Sequence, residues 1–212
     1  MVSGLRIALS ALLVAGCAGK SPPPAADSFA GPVSSDWRAV ATPEDRRRLR
    51  AWRTAFTTAL GQARKSHAAE IAREGRLLDP DAGLADAPGL PAGNYRCRVV
   101  KLGAKSPGLL DYVAYPAFDC VVADEGEVSS FAKTSGSQRP VGLIFNGGDG
   151  PRQIFLGTLM LGDETRAVDY GRDADRDMAG AVEKIAPARW RMVLPYPRFE
   201  SVIDVIELVP TA

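Results

Sequence analysis

His67 is the only histidine in the chain, and that scarcity limits the available chemistry. A Ser-His-Asp triad and a metal centre built on several imidazoles both need pieces that are missing. The run Asp173-Ala174-Asp175-Arg176-Asp177 alternates carboxylates as a calcium loop does at its start. Met178, however, stands where such a loop needs glycine, and Lys184 where it needs a bidentate glutamate. Arg172 and Arg176 neutralise part of the cluster, so a salt-bridged surface turn is expected. Asp204 and Glu207 offer the paired carboxylates of glycoside chemistry. Three residues apart on a strand, they face opposite sides and form no working pair alone. Lys133 and the segment Ser135 to Pro140 place polar groups between two strands, read as a turn with a ligand-facing loop as the alternative. Asn146-Gly147-Gly148-Asp149-Gly150-Pro151 lacks a following Lys-Ser/Thr, so it reads as a hairpin turn rather than a phosphate cradle. No catalytic residue, metal or cofactor is assigned, and the balance leans away from an enzyme.

The cysteines are more informative. Arg6, then the apolar run Ile7 to Val14, then the small residues Ala15-Gly16 have the order of a secretory signal peptide. The run is too short for a membrane span, which needs about 20 apolar residues. Val14-Ala15-Gly16-Cys17 reads as a lipobox, so cleavage after residue 16 is expected, with Cys17 as the lipidated, palmitate-bearing N-terminus. Cys97 and Cys120 then remain, and they allow one intramolecular pairing. Each sits in a strand-like run, and closing the loop between them stabilises by about 3 kcal/mol. A disulfide is expected; two buried free thiols are the alternative.

Elements to position these groups follow from composition and period. Residues 17–33, with Pro22-Pro23-Pro24 and Gly31-Pro32, read as a flexible tether that buries too little to fold. Residues 34–212 suffice for a single domain. Ser34 to Leu78 carries ten Lys/Arg against five Asp/Glu, and Asp79 to Ala212 fourteen against nineteen. The halves are opposite in sign, which favours docking of one on the other and argues against nucleic acid. Thr42-Pro43-Glu44-Asp45 starts a helix. Leu49, Trp52, Phe56, Leu60, Ala63, His67 and Ile71 give it one apolar stripe, making His67 a packed core-edge residue on a helix from about 43 to 75. The arginines at 46, 47, 48, 50 and 53 lie mostly off that stripe, as a solvated basic face.

Beyond a Pro/Gly/Asp-rich connection the period changes to two: Tyr95, Cys97 and Val99 alternate with arginines. Further strands are expected at Tyr112 to Val122, Ser130 to Thr134, Val141 to Phe145, Gln153 to Leu161, Ala181 to Ile185, Arg189 to Leu194 and Val202 to Val209. Pro116 implies a bulge or an edge, and Trp190, alternating with Met192 and Leu194, faces inward. The fold class is α+β: one long N-terminal helix, then a mainly antiparallel sheet over about 93–210, closed or bent into a barrel of seven or eight strands.

Gly93-Asn94-Tyr95-Arg96-Cys97-Arg98-Val99-Val100-Lys101-Leu102-Gly103, Gly136-Ser137-Gln138-Arg139-Pro140, Phe155-Leu156-Gly157-Thr158-Leu159, and Arg189-Trp190-Arg191 through Arg198-Phe199-Glu200-Ser201 together resemble an uncharacterised bacterial lipoprotein family, domain of unknown function 4893. The resemblance runs from about Trp37 to Pro210. It implies an envelope protein with no assigned reaction, and its cysteine positions match Cys97 and Cys120. Among diacylated lipoproteins, Asp after the lipidated Cys retains the protein in the inner membrane; Ala18 therefore implies the periplasmic face of the outer membrane. The expectation is a lipid-anchored, non-enzymatic binding or interaction module whose partner is an envelope protein or a small apolar ligand. The alternatives are a lipocalin-like carrier, which needs an apolar cavity of about 300 Å³ or more, and a carboxylate-dependent hydrolase of envelope polysaccharide.

Overall fold

The computed structural model describes residues 28–31, 33–147 and 151–211. The expected signal peptide, Cys17, residues 17–27 of the tether and the middle of the 146–151 turn lie outside them. Three helices come first in the described chain: α1 (Trp37–Val40), α2 (Pro43–Arg50) and α3 (Trp52–Glu74), the last closed by a 3-10 turn, Gly75–Leu78. Thr42 caps α2 as its sequence implies, its hydroxyl accepting the Asp45 N–H at 3.1 Å, with Pro43 at the first turn. The single helix expected over 43–75 is not continuous. Ala51 (φ −91°, ψ 5°) separates α2 from α3, and His67 (φ −130°, ψ 35°) kinks α3. Each piece serves a different surface. Arg48 on α2 donates to the Asp177 carbonyl at 2.8 Å, whereas Ala55, Phe56, Ala59, Leu60, Ala63 and Ile71 of α3 pack on Val100, Leu102, Val193, Ile203 and Val205. Among the described residues no helix is long and apolar enough to cross a membrane.

Eight strands follow: β1 (Gly93–Ala104), β2 (Tyr112–Asp124), β3 (Ser129–Lys133), β4 (Gln138–Phe145), β5 (Gln153–Leu161), β6 (Asp177–Ala186), β7 (Arg189–Pro195) and β8 (Ser201–Pro210). Each pairs antiparallel with the next, and β8 returns to β1, so the sheet is a closed barrel. The expected strands are all present, with two corrections. β6 starts at Asp177 rather than 181, and Gln138 to Pro140, read as part of a turn, belong to β4. Pro116 sits at a bulge, since Tyr115 and Pro116 together oppose Val99 between the pairs Arg98↔Ala117 and Val100↔Ala114. It also lies on an edge, because β3 pairs only with Cys120 to Asp124.

Inward side chains fill most of the barrel. Tyr95, Val122, Phe131, Ile144, Phe155, Met178, Trp190 and Leu208 belong to one buried cluster, with the Cys97–Cys120 disulfide inside it. Phe131 meets Phe155 edge-on at 5.7 Å. The space for these rings comes from Gly142 and Gly157, which face each other across β4 and β5. A Cβ on either would strike the opposing strand's backbone, and one on Gly157 would also strike the Phe155 ring. On the outer wall Arg191 is 0 % exposed. Its Nε and Nη2 donate to Glu183 Oε1 at 2.8 and 2.6 Å, and Nη1 donates to the carbonyls of Leu77 and Asp79, both at 2.7 Å. One guanidinium thus ties the end of the helical layer to β6 and β7.

Two outcomes follow for stability. Reduction of Cys97–Cys120, 23 residues apart in sequence, is expected to cost about 3 kcal/mol, lowering the melting midpoint by roughly 6–12 °C for a domain of this size. Thermal melts with and without reductant measure it. Arg191→Leu takes the buried donors from Glu183 Oε1 and from the Leu77 carbonyl, while Arg152 stays on Glu183 Oε2, and is expected to cost about 3 kcal/mol in denaturant unfolding.

Candidate functional site

The barrel's two ends differ. At one end Leu90 plugs the interior, 3 % exposed, its N–H donating to Gln153 Oε1 at 2.7 Å. The Tyr95 hydroxyl donates to the Pro91 carbonyl at 2.6 Å, and the Tyr95 and Trp190 rings meet edge-on. This end is shut by apolar packing.

At the other end the inward face becomes polar. The β1 row Tyr95, Cys97, Val99 ends at Lys101, registered with Asp204 of β8. Lys101 Nζ lies 3.1 Å from Asp204 Oδ2 and 3.4 Å from Glu200 Oε2. Ser201 donates its hydroxyl to Asp204 Oδ1. Burial works against the Lys101 charge, but Asp204 and Glu200 outweigh it and hold the amine above its ordinary value. Lys133, closing β3, is 3 % exposed. Its Nζ donates to the carbonyls of Ser135 at 2.6 Å and Gln138 at 2.9 Å, and lies 3.6 Å from the Phe118 ring centroid. Among the described residues no carboxylate pairs with it. Burial, then the nearby charges of Arg139 and Lys101, pushes its pKa down to about 8. Lys101 and Lys133 line one recess of about 190 Å³, whose apolar wall is Val99, Tyr115 and Phe118.

Exposed apolar side chains collect on the connections at this end. Of the exposed large hydrophobic side chains among the described residues, Leu109, Leu110, Tyr115, Tyr196 and Phe199 stand at the mouth end and Val209 at the shut end; Tyr115 and Phe199 line recesses with Lys101, whereas Leu109 and Leu110 line a separate recess against α3. Leu110 is 70 % exposed. The β7–β8 connection contributing Tyr196 and Phe199 is strained. Tyr196 (φ +50°) and Glu200 (φ +66°) occupy left-handed backbone without being glycine, a state that tends to mark functional loops. Lys105 holds this connection, its side chain donating to the Pro197 carbonyl and its N–H to the Glu200 carbonyl.

The residues singled out from sequence disperse. Asp204 points inward to Lys101, while Glu207 points outward to Arg98 and Arg189, so the two carboxylates do not meet. Within the aspartate run, Asp175 pairs with Arg198, Arg176 with Glu164, and Asp173 accepts the Asp175 N–H. His67 sits at the kink of α3, its Nε2 3.3 Å from Asp111 Oδ1 and its ring stacked on Tyr112. Trp190 faces inward. Lys133, Gln138, Asp204 and the 175–177 part of the aspartate run all reach the mouth, where Asp175, Arg176, Asp177 and Asp204 line a small recess with Lys101. Lys101 escaped sequence reasoning, although the alternation through Tyr95, Cys97 and Val99 points to it as the next inward position.

The assembly is a closed eight-stranded antiparallel barrel with an apolar base and a cation-bearing mouth. A family model described as a domain of unknown function (DUF4893) matches residues 37–208, from α1 into β8, and the chain belongs to that family. No curated protein and no solved structure matches it.

Beside the mouth, Asp177 has a carboxyl pKa raised to about 6, chiefly by burial. The folded protein therefore holds this proton more tightly than the unfolded chain. The resulting stabilisation is full below about pH 4 and is lost as pH rises through about 6. Asp177→Asn keeps an oxygen for the Gly171 N–H, which donates to Asp177 Oδ1 at 2.9 Å. The variant is expected to match the parent near pH 4 and exceed it by on the order of 1–2 kcal/mol near pH 7.5, measured by paired denaturant melts.

Proposed function

We propose that this protein is a bacterial envelope lipoprotein, cleaved after residue 16, acylated on Cys17 and held at the periplasmic face of the outer membrane. Its barrel acts as a non-enzymatic binding module through the open end. The observation that carries the binding assignment is that Leu109, Leu110, Tyr115, Tyr196 and Phe199 lie on the barrel end where the interior turns polar, Tyr115 and Phe199 lining its recesses and Leu109 and Leu110 a neighbouring one against α3. Exposed apolar side chains concentrated around a concave polar recess are the usual form of a recognition surface. The anchor rests on the residue order before Cys17.

The alternatives draw less support. A lipocalin-like carrier needs an apolar chamber of about 300 Å³ or more, whereas the recess measures about 190 Å³ and carries two lysines. A polysaccharide hydrolase needs two carboxyl groups about 5–9.5 Å apart across a cleft; Asp204 and Glu207 lie on opposite faces of β8, and Asp204 and Asp177, from separate strands, share a recess of only about 30 Å³, room for about one water.

Two measurements in cells test the proposal. Palmitate is expected to label the protein and to be lost in Cys17→Ser; an unlabelled parent protein removes the anchor. A photo-crosslinking residue at Leu110 or Phe199 is expected to give discrete adducts that the same residue at Val209 does not. Equal adducts at all three positions would remove the open end as the binding surface.

A further inference from the structure

We propose that the barrel mouth is a subsite for a compact anionic group, a carboxylate or a phosphate, carried on an apolar or aromatic body and received between Lys101 and Lys133. This rests on the reading of the mouth as the binding end and names the chemistry that end selects.

The argument begins with charge. Lys101 and Lys133 are 6 % and 3 % exposed and line the same recess. Of the two buried carboxylates at this end, Asp204 is engaged by Lys101 and by the Ser201 hydroxyl, and Asp177, on the far side of Lys101 from Lys133's recess, by the Gly171 N–H. Lys133 has three N–H groups. Carbonyls of Ser135 and Gln138 take two, and among the described residues no side-chain acceptor takes the third, which leaves the ammonium against the Phe118 ring. An ammonium removed from water without a counter-charge is costly. The low pKa of Lys133, to which Lys101 contributes, is the same cost seen from the proton.

Glu200 indicates how an anion would enter. It is the acid lining that recess, its side chain 48 % exposed and 3.4 Å from Lys101 Nζ, on a backbone with φ +66°. This carboxylate reaches Lys101 from the solvent side on a strained connection, and an incoming anion takes the same side. Bound there it faces Lys101 and Lys133 together. The rest of the ligand then meets Val99, Tyr115 and Phe118 on the wall and Phe199 on the rim, which is why the anion is expected to carry an apolar body.

The test titrates the mature protein calorimetrically with sodium hexanoate, with inorganic phosphate, and with phosphatidylcholine vesicles containing phosphatidylglycerol. Saturable binding of a soluble anion is expected, weakened about tenfold or more in Lys133→Met and unchanged in Lys184→Met. Lys184 lies over Trp190, towards the shut end. Tyr115→Ala, at an exposed position, is expected to weaken hexanoate more than phosphate. Vesicle binding with the same dependence on Lys133, without binding of either soluble anion, assigns the anion to a lipid headgroup and supports the subsite. Absence of any Lys133-dependent binding overturns it. Should Lys133→Met fail to fold, amine acylation of the unmutated protein decides: the bound probe is expected to slow labelling of Lys133 severalfold relative to Lys184, and equal labelling with and without probe overturns the subsite. Rim crosslinks that persist without any anion effect would leave the binding-module reading standing and remove only its anionic ligand.

Discussion

The seam between β1 and β8 fixes everything that the rest of the molecule builds on. The two strands pair from Tyr95↔Pro210 to Ala104↔Ser201, and that register turns an open sheet into a barrel without free edges at this join. Because side chains alternate, a slip of one residue would send Lys101 outward to the helical layer and Val100 into the mouth. The register is specified from three sides. Cys97 is bonded to Cys120 within the core, Val100 and Leu102 are buried beneath α3, and Arg98 bridges Glu74 of α3 and Glu207 of β8 on the outer face. The ion pairs of Arg98 are half-buried and worth less than the apolar contacts around them. Their geometric role is to hold the helical layer in line with the strand register.

The same seam accounts for the difference between the two ends. Chain entering β1 crosses the barrel floor, so Leu90 and the carbonyls of Pro88 and Pro91 can cover Tyr95 and Trp190. Among the described residues the mouth has no equivalent segment. Its connections at residues 105–111, 134–137, 162–176 and 196–200 rise at the rim, and the bulge at Tyr115 and Pro116 separates the first half of β2 from β3. Phe118 fills part of that gap by lying over Lys133. The recess is therefore the place where strand pairing ends before the apolar core does.

Much of the barrel was legible in the sequence because it rests on local period. Tyr95-Cys97-Val99, Trp190-Met192-Leu194 and the run to Val209 declare their inward faces by alternation, and Pro116 announces its bulge by lacking a backbone donor. Thr42-Pro43 declares a helix start for the same local reason. Features set by distant partners were hidden. Alanine is the best helix former, so nothing at Ala51 signals a break; it comes from α2 docking on β6 while α3 follows β1. The start of β6 at Asp177 was masked by an aspartate run and Gly180, whose strand conformation depends on pairing with β5. The mouth was legible only in fragments. Lys133 and Gln138 stood out as polar residues between strands, but bringing Lys101 to the same recess requires β1, β2, β3 and β8 to be adjacent in a closed sheet.

Lys133 departs from the rule that the other buried cations follow. Arg191 is matched by Glu183 and carbonyls, Arg48 by Asp45 and Lys101 by Asp204. Lys133 has carbonyls and an aromatic face, yet a methionine there would fill similar volume without burying a charge. Local violations of packing and pairing rules concentrate where a protein does something other than fold. Two of the four described non-glycine residues with positive φ, Tyr196 and Glu200, sit on the connection beside it, the others being Asp86 and, in the β6–β7 turn, Ala188. A fold that needed only stability would have shut this end as it shut the other. An uncompensated ammonium, a strained connection and an exposed apolar rim converge on one opening, so the physical costs of the structure are collected where a ligand can offset them.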